Sequence, residues 1–171
     1  MGTISCACGG VRLEAVGAPM MSVICHCTSC RTAGRAFDAV SPVLPIVDAG
    51  GGTAVVLWRK DQLKCVAGSE KLEPHRHSPT SPSRRMVAAC CKTPMFGDFT
   101  KGFWVSIYRD RVPDAPRPAM RVMLSDLEPG AQIPDDGLPR FRNRPGSFLI
   151  KLLTTWAAMG FRSPRIAGAG D

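Results

Sequence analysis

The sequence predicts a mainly β domain followed by a proline-rich extension and a C-terminal helix. Three observations carry this. Aromatics make up 6% of the chain against 17 glycines and 15 prolines, a mix that suits short strands joined by turns. Prolines then crowd positions 113, 116, 118, 129, 134 and 139, which leaves little room for regular structure. Finally, Phe148, Leu149, Leu152, Leu153, Trp156 and Met159 recur at helical spacing and form an apolar stripe.

The elements follow in order. Residues 11–16 alternate apolar and polar after the Gly9-Gly10 turn signal, the mark of a half-buried strand. Residues 20–24 form a second apolar run that leads into Cys25. Residues 39–47 are interrupted by Pro42 and Pro45 and read as an edge or irregular strand. Gly50 to Gly52 is a loop, and residues 53–58 and 62–66 are strands rich in β-branched side chains. Residues 78–83 read as a Ser/Pro loop and 85–91 as a strand ending on a cysteine pair. Residues 103–108 place Phe103, Val105 and Ile107 on one face. The β domain so read spans 1–111, and the extension spans 112–171 with a helix over about 145–160. Pro145 suits the helix start and Gly160 its stop.

The chain has 171 residues and a formal net charge of +8. Its basic residues are spread, with densities over 76–85 and 140–165, and read as a solvated surface rather than a nucleic-acid face. The stripe on the C-terminal helix, ringed by Arg140, Arg142, Arg144, Lys151, Arg162 and Arg165, fits either an interfacial membrane helix or a helix docked on the sheet or a partner subunit. The docked reading is favoured, so membrane and nucleic-acid partners are not expected, while a homo-oligomer is compatible. No run of eighteen apolar residues occurs, and no basic start precedes an apolar segment, so the expected location is cytoplasmic and reducing.

In such a compartment, clustered cysteines point to metal rather than disulfides. Seven of the eight cysteines fall in three clusters: Cys6 and Cys8; Cys25, Cys27 and Cys30; Cys90 and Cys91. Cys6 and Cys8 offer half of a tetrahedral zinc site, and Cys90 with Cys91 is the remaining clustered pair that completes a closed, structural one. Cys25, Cys27 and Cys30 supply three sulfurs from one loop and leave a fourth position open, the pattern of a catalytic zinc that takes water or a thiol. His26, between two ligands, is expected to point away. Cys65 stands alone in an apolar run and reads as core. His75 and His77 read as an exposed loop.

The order Cys6-Ala7-Cys8-Gly9, then Cys25-His26-Cys27-Thr28-Ser29-Cys30-Arg31, then Cys91-Lys92-Thr93-Pro94-Met95-Phe96 resembles the glutathione-dependent formaldehyde-activating enzyme family, which includes the centromere-protein-V type. The resemblance covers about residues 4–110. It implies a β-tent-like domain, a structural zinc on Cys6, Cys8 and the late cysteines, and a second zinc on Cys25, Cys27 and Cys30. It further implies a carbon–sulfur lyase acting on an adduct of glutathione or another thiol. The alternative is a non-catalytic zinc module that binds protein or nucleic acid. The family's late motif is C-x-x-C-G-T. Here Ala88 stands in place of its first cysteine and Lys92 in place of its glycine, which marks a divergent member. Neighbours on a regular strand face opposite ways, so Cys91 is ranked above Cys90 as a ligand unless a turn intervenes.

Overall fold

The computed structural model describes residues 2–40 and 45–169. Among them lie strands β1 (Gly2–Ser5), β2 (Arg12–Ala15), β3 (Met21–Cys25), β4 (Thr53–Arg59), β5 (Leu63–Ala67), β6 (Leu72–His75), β7 (Ser83–Ala88), β8 (Thr93–Phe99), β9 (Trp104–Tyr108) and β10 (Arg121–Val122). The two α-helices are α1 (Thr28–Asp38) and α2 (Gly146–Ala158). The fold is mainly β with a C-terminal helix, as expected. A small sheet runs β1-β2-β5 and a large one β10-β3-β4-β9-β8-β7-β6. Neighbours are antiparallel except β10, which lies parallel to β3 with Val122 opposite Cys25.

Strand β4 shows how the sequence organises the layers. Its run T-A-V-V-L-W-R has no polar alternation because both faces are covered. Val56 and Trp58 enter the core shared with Ile4, Leu13 and Leu63 of the small sheet. Val55 and Leu57 face the opposite side, where Phe148 of α2 and Met159 at its C-terminal cap pack with them. Each fully buried side chain of this size contributes about 1.5–3 kcal/mol relative to exposure. Cys65 sits in the first of these cores, as its sequence context predicts.

Several elements differ from the sequence expectation. Helix α1 replaces the loop expected around Cys30. Its only buried residues are Arg31, Ala33, Gly34 and Phe37, too small and polar a set to form a legible apolar stripe. Of the edge strand expected over 39–47, residues 39 and 40 form a turn, 41–44 lie outside the described residues, and Val47 makes one isolated bridge to Thr53. The strand expected over 85–91 stops at Ala88. Strands β6 and β8 hold Pro74 and Pro94, which obscured them. Pro74 is tolerated because β6 is the sheet edge, and Pro94 lies beside a register shift at Met86/Val87. The extension is not wholly irregular, since it supplies β10.

The predicted stripe of α2 also splits. Phe148 and Met159 are buried, Leu152 and Trp156 pack partly, and Leu149 and Leu153 stay exposed. Trp156 stacks on Phe103 with ring centroids 5.9 Å apart.

Candidate metal centres and adjoining cavity

Cys6 and Cys8 sit in the turn between β1 and β2. Gly9 there has φ +72°, and a Cβ on Gly10 would come within 3.2 Å of Cys90 Sγ and 3.3 Å of Cys8 Sγ. The C-G-G pattern therefore provides both the left-handed turn and room for the sulfurs. Cys90 and Cys91 lie in the turn between β7 and β8 rather than on a strand. The divergence of strand neighbours does not apply to them. The four sulfurs all lie within 4.8 Å of one another. Cys90 Sγ is 3.3 Å from Cys8 Sγ and 3.9 Å from those of Cys6 and Cys91, so its sulfur is as central as any. Sulfurs each about 2.3 Å from a zinc stand about 3.8 Å apart in a tetrahedron, and these separations fit that ion.

Donors also surround this group. The amide of Val11 donates to Cys6 Sγ at 3.2 Å, and Thr93 Oγ1 lies 3.0 Å from Cys91 Sγ while accepting from the amide of Ala7 at 3.1 Å. Such contacts orient ligands and favour thiolates. Lys92, which stands where the resembled motif has glycine, takes φ +56°. The turn is left-handed there although its residue is not glycine, the one best suited to it.

The second group is assembled from a strand end and a helix start. Cys25 closes β3, Cys27 is the N-cap of α1, and Cys30 is in its first turn. Their sulfurs also lie within 4.8 Å of one another. Cys27 has no capping side chain; instead Asp126 of the extension accepts from the Thr28 amide at 3.0 Å. Hydrogen bonds from Cys25, then Cys30, push the Cys27 thiol down to about 2, while sharing with Cys27 raises that of Cys25. Three sulfurs competing for protons at a helix N-terminus are a ready cation site.

His26 turns away from this group, as expected. It is fully buried, and its Nε2 lies 3.1 Å from Arg121 Nη1. A guanidinium only donates, so Nε2 accepts and the proton resides on Nδ1. Burial, then the Arg121 cation, holds the His26 pKa below the ordinary 6.5. Arg121 in turn pairs with Asp48 and Asp136, both at 2.8 Å. This network ties the extension to the strand that ends at Cys25.

A cavity of about 460 Å³ opens beside Cys25, Cys27 and Cys30. Its walls include Val55, Leu57, Trp104 and, from α2, Phe148, Leu149 and Leu152. Its polar features include Arg85, Arg144 and Tyr108. Arg85 Nη2 donates to Ser29 Oγ at 2.9 Å and lies 3.9 Å from Cys30 Sγ. Burial raises the Tyr108 pKa, so its phenol keeps its proton at neutral pH. His75 and His77 are exposed and join neither sulfur group.

Residues 1–45 match the model of the family described as glutathione-dependent formaldehyde-activating enzyme. The match covers 45 of the 171 residues and is a likeness of the N-terminal segment. The matched segment holds Cys6, Cys8, Cys25, Cys27 and Cys30, whereas Cys90, Cys91 and the extension lie outside it. No curated protein matches the chain. A solved structure of a Rhodobacter sphaeroides protein is similar over 82% of this chain and 99% of its own, at 15% identity and a TM-score of 0.46.

Sequence reading found all seven cysteines of the two groups. It did not find Arg85, Tyr108, Arg121, Asp126 or Arg144. Arg85, Arg121 and Asp126 reach their sites through long-range contacts, Arg144 lies over the Phe148 ring four residues on, and none carries a local motif. A charged residue within a strand, as at Arg85, was the only available signal.

Proposed function

We propose that this chain is a divergent member of the formaldehyde-activating family, a two-zinc protein whose second centre acts on thiol adducts as a carbon–sulfur lyase. One observation carries the reading. Four sulfurs saturate the first group, whereas three sulfurs at the cavity leave a tetrahedral ion one ligand short. Zinc, when bound there, would favour the ionised form of an incoming thiol.

The chain's own residues do the rest. Arg85 and Arg144 border the cavity and suit the carboxylates of glutathione. The apolar wall from α2 limits water around the reacting sulfur. In the forward direction the thiolate sulfur attacks an aldehyde carbon. A carbon–sulfur bond forms, the carbonyl π pair moves to oxygen, and that oxygen takes a proton. Tyr108 is the protonated hydroxyl on the wall that can supply it. The reverse step cleaves the same bond, which is the lyase direction.

Calorimetry with glutathione and S-methylglutathione tests this. Glutathione should bind, and more tightly as pH rises and its thiol ionises. The methylated form keeps the charges and should bind much more weakly. Cys27→Ser should remove the difference while preserving the fold. Equal binding of the two, or no binding at millimolar concentration, overturns the reading.

A further inference from the structure

Helix α2 docks through only one of its sides. Phe148, Leu152, Trp156 and Met159 meet the large sheet. On the adjoining side, Leu149, Ile150 and Leu153 are 51%, 63% and 57% exposed, and Ala157 is exposed beside them. Their spacing of i, i+1, i+4 and i+8 makes one continuous apolar strip. Phe161, 57% exposed, extends it past the helix end.

The segment that carries α2 is basic, although Arg140 at its start pairs with Asp135. From residue 137 to residue 170 there is no Asp or Glu, while Arg140, Arg142 and Arg144 precede α2 and Arg162 and Arg165 follow it. A second copy presenting the same basic surface would be repelled. An anionic lipid surface is complementary on both counts, because it accepts exposed apolar side chains and attracts the flanking cations. Helix α2 has 13 residues, about 20 Å at helical rise, and no helix among the described residues is long and apolar enough to cross a membrane. The match is to lying on a bilayer.

We propose that the exposed strip of α2 and its arginine flanks form a peripheral docking surface for an anionic membrane. Leu149 belongs both to this strip and to the cavity wall, so the docked face would border the cavity. This goes beyond the thiol-lyase reading and stands or falls separately from it.

The full chain is sedimented with vesicles of phosphatidylglycerol and phosphatidylcholine, and with phosphatidylcholine alone. Binding should favour the anionic vesicles roughly tenfold or more and weaken as salt rises. Ile150→Ser with Leu153→Ser should lower it roughly tenfold at unchanged melting temperature, since both side chains are exposed. Arg142→Glu should lower it about fivefold or more. Three results overturn the proposal: no sedimentation, equal binding to neutral vesicles, or self-association lost in the double variant without vesicle binding.

Discussion

Arg85 and Cys30, 55 residues apart in sequence, meet at the cavity with Arg85 Nη2 3.9 Å from Cys30 Sγ. The guanidinium thus borders both the three-sulfur group and the space where an incoming thiol would lie. Its removal should separate substrate binding from metal binding. Arg85→Gln is expected to keep the metal content of the chain but to weaken glutathione binding by about 1.5–3 kcal/mol, the range for a hydrogen bond to a charged group. Elemental analysis and calorimetry on the same sample check this. Loss of metal would instead assign Arg85 to holding the sulfurs.

Two groups of cysteines predict close to two zinc ions per chain in protein purified without chelator. Cys8→Ser should lose one ion and lower the melting temperature sharply, because ligand binding contributes directly to folding. Cys65→Ser should keep both ions, as Cys65 lies in the core away from either group. Zinc loss in the Cys65 variant would show that the ligand sets are wrong.

Lys92 occupies a left-handed turn at φ +56°. A non-glycine residue there is disfavoured by about 1–2 kcal/mol, partly offset by the lower chain entropy of lysine when unfolded. Lys92→Gly is therefore expected to stabilise the protein by about 0.5–1 kcal/mol. Urea unfolding with metal present measures it, and a destabilised variant would contradict the turn geometry.

Asp126 caps the helix that carries Cys27 and Cys30. Asp126→Ala should cost about 1 kcal/mol and weaken metal retention at that group before the other. Competition with a chromogenic chelator would show one ion released early. Release of both together would count against the cap.

The Arg121 hydrogen bond holds the Asp136 carboxyl below the usual 3.8. A depressed carboxyl pKa contributes stability that is complete above its unfolded value and is lost as pH falls through the lower folded one. Melting temperatures measured from pH 5 downward should therefore drop less steeply in Asp136→Asn than in the unsubstituted chain. Parallel slopes would mean that the pair contributes nothing to acid sensitivity.

The sequence alone located the cysteines that gather into the two sulfur groups. Cysteine spacing picked out the members of these groups and left Cys65 apart, because closely spaced cysteines can bring their sulfurs together within one short segment. Period-two alternation revealed β2 and β9, and helical periodicity revealed α2. Tertiary structure decided the environment of those sulfurs. Cys90 and Cys91 share a site because the chain turns there, a choice made by strand pairing across β7 and β8. Helix α1 buries Ala33, Gly34 and Phe37, a face too small to stand out in sequence, and its first turn is held by Asp126, 98 residues beyond Thr28. Arg85, Tyr108 and the α2 wall come to the cavity through sheet order, which depends on contacts between distant residues and leaves no local pattern. The stripe of α2 looked uniform in sequence, and only packing against the sheet divided it into a docked face and an exposed one.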